Sequence, residues 1–180
     1  MDEQLFRGHL DTPLGRFLVV ATHAGVRRIV LPGSGGPGDG TDPSSVSDDP
    51  DHRVVALACG QLRAYFEGTR HGFDMPLDLR GTEFQVTAWR ALATIGYGDT
   101  ASYAEQAARI GRPRAVRAVG SANRCNPVPV VLPCHRVIGA DGSLTGYAGG
   151  IGMKKWLLDH EARGGPAPDG VMAAATGRSS

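Results

Sequence analysis

The chain has 180 residues, of which 41% are hydrophobic and 21% charged, with a formal net charge of +1; this excludes a highly charged, unfolded chain and suits a globular one. Cys59, Cys125 and Cys134 are too few and too irregularly placed for a disulfide framework, and no CxxC or Cys/His spacing suits a structural metal. Met1-Asp2-Glu3-Gln4 carries acids instead of a signal peptide's basic and apolar segments, and no apolar run nears the ~20 residues of a membrane span, so a reduced, cytoplasmic protein with no membrane contact is expected.

Gln4–Leu10 and Gly15–Thr22 read as strands around a turn at Asp11-Thr12-Pro13-Leu14, and Gly25–Leu31 as a third, which implies a three-stranded antiparallel sheet. Residues 32–50 are mostly Gly, Pro, Ser and Asp and read as a flexible loop. From Asp51 to Glu67 the pattern is helical, with Val54, Ala58, Leu62 and Tyr65/Phe66 at helical spacing; Cys59 inside it reads as core. Phe73–Leu79 is a short extended segment leading to Gly81. Residues 1–80 are therefore expected to form a small α+β domain without catalytic residues. They hold 8 Lys+Arg against 11 Asp+Glu.

After Gly81 the chain turns helical and basic, with 11 Lys+Arg against 7 Asp+Glu over residues 81–180. Thr82 and Gln85 make a capping box that opens a helix through about Ile95, and Gly96–Asp99 breaks it. Ser102 and Glu105 make a second box for a short helix ending near Gly111. Pro113 suits the first position of another helix, running to about Asn123. Two short helices around a glycine turn resemble a helix-turn-helix. On the second, Arg114, Arg117, Ser121 and Arg124 share one face while Ala115, Val116, Val119 and Ala122 share the other. No acid lies between Glu105 and Asp141, whereas Arg109, Arg112, Arg114, Arg117, Arg124 and Arg136 do. A lone charged stripe is usually a solvated face. An all-arginine stripe after a helix-turn-helix favours nucleic acid.

Next comes a proline-stiffened strap, Asn126 to Val137, carrying Cys134 beside His135. A cysteine at its ordinary pKa of about 8.5 is little ionised near neutrality, so a neighbouring base makes it a nucleophile. The competing reading is an inert, buried thiol. Gly152–Arg163 reads as the last helix. Glu161 lies one turn after Leu157 and Leu158, so its carboxylate should face the apolar side and need a partner, for which an imidazole is suited. His160, like His9, His23, His52 and His71, reads as a surface or boundary residue. Residues 164–180 read as a disordered tail.

Taken together, Phe84-Gln85 with Trp89, Ser102-Tyr103, Arg117 to Gly120, Asn126 to Pro129, Pro133 to Val137, Gly146-Tyr147 and Trp156 to Glu161 resemble the O6-alkylguanine-DNA alkyltransferases, or methylated-DNA–protein-cysteine methyltransferases. The resemblance covers roughly Thr82–Gly164. It implies that Cys134 takes the alkyl group, that His135 deprotonates it through a water with Glu161 holding the imidazole, and that Tyr103 donates to the departing guanine. It implies further that Asn126 braces the strap, that Arg117 fills the space of an extruded nucleotide, and that Val137 and Tyr147 line the pocket. Ala148 stands where members often have serine, so only its backbone N–H could face the guanine oxygen.

The implied fold is α+β: residues 1–80 as the N-terminal domain, 81–164 as the DNA-binding and catalytic domain, and 165–180 as the tail. The implied activity is DNA repair by stoichiometric alkyl transfer with nucleotide flipping. No cofactor or metal is expected, and the partner is double-stranded DNA carrying O6-alkylguanine, bound by a monomer. A non-catalytic lesion binder of the same fold is the alternative, and the intact Pro133-Cys134-His135-Arg136 weighs against it.

Overall fold

The computed structural model describes residues 3–34 and 46–164. Residues 35–45 of the loop expected over 32–50, and the tail expected over 165–180, lie outside them. Among the described residues no helix is long and apolar enough to cross a membrane.

Alternating apolar residues make β1 (Leu5–Thr12), β2 (Gly15–Ala21) and β3 (Val26–Val30), antiparallel as expected, with Leu10 opposite Phe17 and Val19 opposite Ile29. The sheet has a fourth strand. Val46–Asp48, inside the stretch expected to be loop, forms β4 and pairs in parallel with β1, giving the order β3-β2-β1-β4. Composition could not reveal this, because the strand exists to satisfy the unpaired backbone groups on the open edge of β1. On the far side, Val26 bridges Leu77, so the extended 73–79 segment runs beside β3. The helix α1 (Arg53–Phe66) packs Val54, Val55, Ala58, Leu62, Tyr65 and Phe66 against the sheet.

Both capping boxes form. Thr82 caps α2 (Glu83–Leu92), and Ser102 caps α3 (Tyr103–Arg109). Between them Ala101–Ser102 is β5, pairing in parallel with β6 (Val137–Ile138). The next helix, α4 (Val116–Arg124), starts three residues later than Pro113 suggested. Pro113 instead sits in a turn closed by the Ala115 amide donating to the Arg112 carbonyl at 2.8 Å, a position proline favours equally. Gly111 enters that turn at φ 70°, where a β-carbon would be strained. Arg114 is therefore in the turn and not on the helical face assigned to it. Val116 also departs from its expected apolar face and is 36% exposed, whereas Val119 and Ala122 are buried.

A polar clamp joins the helices. The Trp89 indole donates to the Ala122 carbonyl at 2.7 Å. Buried Gln106 and Asn123 exchange amide hydrogen bonds at 3.0 and 2.7 Å, and Gln106 also donates to the Ala88 carbonyl. The last helix, α5 (Gly150–Arg163), completes the fold. One buried apolar cluster runs from Phe6 and Phe17 through Trp89 and Leu92 to Leu157, so sheet and helices share a core.

Asn123→Ala should leave the Gln106 amide half-satisfied in the core and lower unfolding stability by about 1–3 kcal/mol in urea titrations. Ser121→Ala, on the exposed face of the same helix, should stay within about 0.5 kcal/mol.

Candidate active site

Asn126 shapes the strap. Its Oδ1 accepts from the Val128 amide at 3.0 Å and its Nδ2 donates to the Leu132 carbonyl at 2.7 Å, closing residues 126–132 into a loop. Val130 within it takes φ 73°, a conformation a β-branched residue rarely adopts, and its burial holds it there. The Ile29 amide of β3 donates to the Pro127 carbonyl at 2.8 Å, so the sheet supports the strap from behind. The strap ends in a single 3-10 turn, Cys134–Arg136, which delivers a buried thiol, imidazole and guanidinium in succession.

Glu161 organises these groups. Its Oε1 accepts from His135 Nε2 at 2.7 Å, from the Tyr65 hydroxyl at 2.7 Å and from Arg136 Nη2 at 3.0 Å. Its Oε2 accepts from Arg136 Nε at 2.9 Å and from the Gly98 amide at 3.2 Å. Burial pushes this carboxyl up, but the hydrogen bonds and charges of His135 and Arg136 outweigh it and hold the group well below the usual range. His135 is pulled below its ordinary value, chiefly by burial, against the attraction of Glu161. Burial also raises the Cys134 thiol, offset only in part by a hydrogen bond from Asn126 and the charge of Lys154. Thiol and imidazole are thus both neutral at rest. They do not touch through a hydrogen bond, because Nε2 is taken by Glu161 and Nδ1 has no partner among the described residues.

A cleft of about 490 Å³ is lined by Tyr103, Val116, Arg117, Gly120, Ser121, Arg124, Thr145 and Gly146. It gathers Tyr103, Arg117, Ser121 and Arg124, whereas Arg114 lines a separate hollow with Arg112 and Pro113. The Tyr103 hydroxyl donates to the Thr145 carbonyl at 3.1 Å. The same carbonyl accepts from Lys154 Nζ at 3.0 Å, and Lys154 also donates to the Val137 carbonyl at 2.6 Å. Val137 is buried in β6, and the half-buried Tyr147 ring stands edge-on to His135 at 6.5 Å, its hydroxyl without a partner among the described residues. Ala148 is exposed.

Three residues of the centre carried no signal recognised in the sequence. Tyr65 read as core on an amphipathic helix, and Lys154 was one more lysine. Arg136 was counted with the basic footprint, yet it is only 6% exposed and turned inward. His160 also departs from expectation: it is buried, its Nε2 bonds the Tyr65 carbonyl at 2.9 Å and its ring stacks on Trp156. Among the described residues no group of His, Cys, Asp and Glu side chains is arranged to hold a metal.

Comparison with known proteins gives one consistent family. Residues 5–79 match the ribonuclease-like domain and residues 83–163 the DNA-binding domain of 6-O-methylguanine DNA methyltransferase. The chain is 53% identical over 126 residues to a methylated-DNA–protein-cysteine methyltransferase of Mycobacterium tuberculosis, covering 70% of this chain and 76% of the relative. It is 46% identical over 152 residues to that of Mycobacterium leprae, covering 84% and 89%. A crystal structure of Mycobacterium tuberculosis OGT in complex with DNA superposes with a TM-score of 0.81 at 42% identity, covering 90% of this chain and 96% of that one.

The electrostatics set a pH dependence. His135 has a lowered pKa, so below about 6.5 the unfolded chain takes up a proton that the folded state refuses, and stability falls. Glu161, also lowered, contributes stability that is present above its unfolded value and lost as pH falls toward its folded one. Urea midpoints should therefore drop between about pH 7.5 and about pH 5.5, before the carboxylates titrate, and His135→Gln should flatten that slope.

Proposed function

The chain belongs to the 6-O-methylguanine DNA methyltransferase family, proteins that repair DNA by moving a methyl group directly onto one of their own cysteines, and we propose that the accepting thiol is Cys134. The activity is that of a methylated-DNA–protein-cysteine methyltransferase, and it is stoichiometric. Its product is a thioether with no group water can displace, so each molecule acts once.

The observation that carries the assignment is the burial of Cys134 next to an imidazole whose Nε2 is fixed by Glu161, with Lys154 tying the Val137 carbonyl just after this turn to the Thr145 carbonyl on the arginine-lined cleft. The thiol proton goes to His135 Nδ1, the ring nitrogen without a partner among the described residues, and the lack of a direct Cys134–His135 hydrogen bond supports passage through a bridging water. Sulfur attacks the methyl carbon, and the C–O6 bond breaks. The guanine leaves as its ring accepts a hydrogen bond or proton from Tyr103, whose hydroxyl first releases the Thr145 carbonyl. Glu161 stabilises the imidazolium and keeps its orientation. Asn126 and Lys154 hold the strap and the segment after β6 around the sulfur, and Val137, Tyr147 and the Ala148 backbone face the base.

At 6% exposure Cys134 cannot meet a base stacked in a duplex, so the nucleotide must be flipped. Arg117, on the cleft wall, is suited to fill the space it leaves, while Ser121, Arg124 and Arg114 suit phosphate contact. The partner is double-stranded DNA carrying O6-alkylguanine, bound by a monomer in the cytoplasm.

Cys134→Ser should abolish transfer and leave DNA binding within about twofold, since the thiol makes no phosphate contact. Intact mass after mixing with a methylguanine oligonucleotide reads the transfer. A methyl group mapped to Cys125 or Cys59 instead would reassign the nucleophile.

Arg117→Ala should react roughly ten- to a hundredfold more slowly with duplex substrate, because flipping costs a few kcal/mol, yet react normally with the free alkylated base. Arg124→Ala should lower the salt slope of binding by about one unit. Equal loss of both activities in Arg117→Ala would make Arg117 a pocket residue.

A further inference from the structure

We propose that Tyr65, contributed by α1, is a positioning residue for methyl transfer: its hydroxyl fixes Glu161 and draws charge from Oε1, which keeps His135 neutral until the thiol yields its proton. The inference rests on the reading of Cys134 and His135 given above.

Tyr65 is fully buried, and its ring packs against Phe66, Phe73, Tyr97 and His160 with centroids 5.3–6.0 Å apart. Phenylalanine would serve that packing equally well. What the hydroxyl adds is a 2.7 Å hydrogen bond to the oxygen that also receives His135 Nε2. The residue is held at both ends by α5, because its carbonyl accepts from His160 Nε2 at 2.9 Å, so the direction of the hydroxyl is set. Burial raises the phenol far above its ordinary value, and Glu161 raises it further, so it donates at every pH at which the protein works.

The effect on His135 has a definite sign. The guanidinium of Arg136 and the ammonium of Lys154 both disfavour the imidazolium, and Glu161 attracts it. The phenols of Tyr97 and Tyr147 also face Glu161, and the thiol of Cys134 faces Lys154 and Tyr147, but all are neutral at rest. His160, on the other side of the Tyr65 ring, bonds only the Tyr65 carbonyl. A donor removed from Oε1 returns charge to that oxygen and strengthens its pull on the proton of Nε2. Loss of the Tyr65 hydroxyl should therefore make His135 more basic. An imidazole protonated too early cannot accept the thiol proton, so activity is lost at the acid end of the pH range.

The test compares the unmodified protein, Tyr65→Phe and a protein with difluorotyrosine placed at position 65 only, whose more acidic phenol is a stronger donor. Two readouts are taken: single-turnover methyl transfer as a function of pH, and the His135 imidazole titration by NMR without DNA. In Tyr65→Phe the acidic limb of the rate profile and the NMR midpoint should rise together by roughly half to one unit. In the fluorinated protein both should fall. A midpoint that stays put, moves the other way or is undetectable throughout, or a rate loss equal at every pH, overturns the proposal. If Tyr65→Phe does not fold, the fluorinated protein decides. If no protein transfers a methyl group, the assignment of Cys134 fails, and the NMR midpoints still judge Tyr65.

Discussion

A buried carboxylate that accepts from Tyr65, His135, the Nε–Nη2 edge of Arg136 and the Gly98 amide is the constraint on which this structure turns. An unpaired charge in that position would cost several kcal/mol. Each donor is consequently a demand on a different part of the chain. Tyr65 requires α1 to lie against α5, and Gly98, at φ 79°, requires the turn after α2 to fold back over Glu161. His135 and Arg136 require the strap to end in a tight turn. The charge chemistry of one residue thus fixes where four segments meet.

That arrangement keeps the proposed thiol–imidazole pair neutral rather than ionised. An exposed thiolate would be available to any electrophile, whereas a thiol raised by burial next to an imidazole lowered by burial stores no reactive charge. The Thr145 carbonyl links the two regions, since it binds the Tyr103 hydroxyl on the cleft side and Lys154 on the thiol side. Any movement of Tyr103 off the Thr145 carbonyl would therefore be felt by the Lys154 contact on the same oxygen.

The most local features were legible in the sequence. Both capping boxes are read from residues three apart, and the Glu161 position follows from its spacing to Leu157 and Leu158. What stayed hidden depends on contacts between distant segments. Tyr65 and Glu161 are 96 residues apart, and nothing in an amphipathic helix distinguishes a phenol that meets a carboxylate from one that meets solvent. β4 was missed because its partner edge is made elsewhere in the chain, and Pro113 was misplaced because proline suits a turn as well as a first helical turn.

The arginines carry the same lesson into function. A run without acids from residue 106 to 140 suggested one electrostatic surface, but its members divide by environment. Arg117 and Arg124 line an open cleft, where a guanidinium keeps its hydration and can exchange it for phosphate or base. Arg136 is sealed in the interior, where Glu161, the Ile95 carbonyl and the Tyr97 ring compensate its desolvation. Its place in the acid-free run makes it look like part of the basic surface. It belongs instead to the framework that holds the imidazole's counter-charge in place. The two side chains after Cys134 anchor the strap to α5, so Cys134 cannot move without disturbing the carboxylate that holds its neighbours.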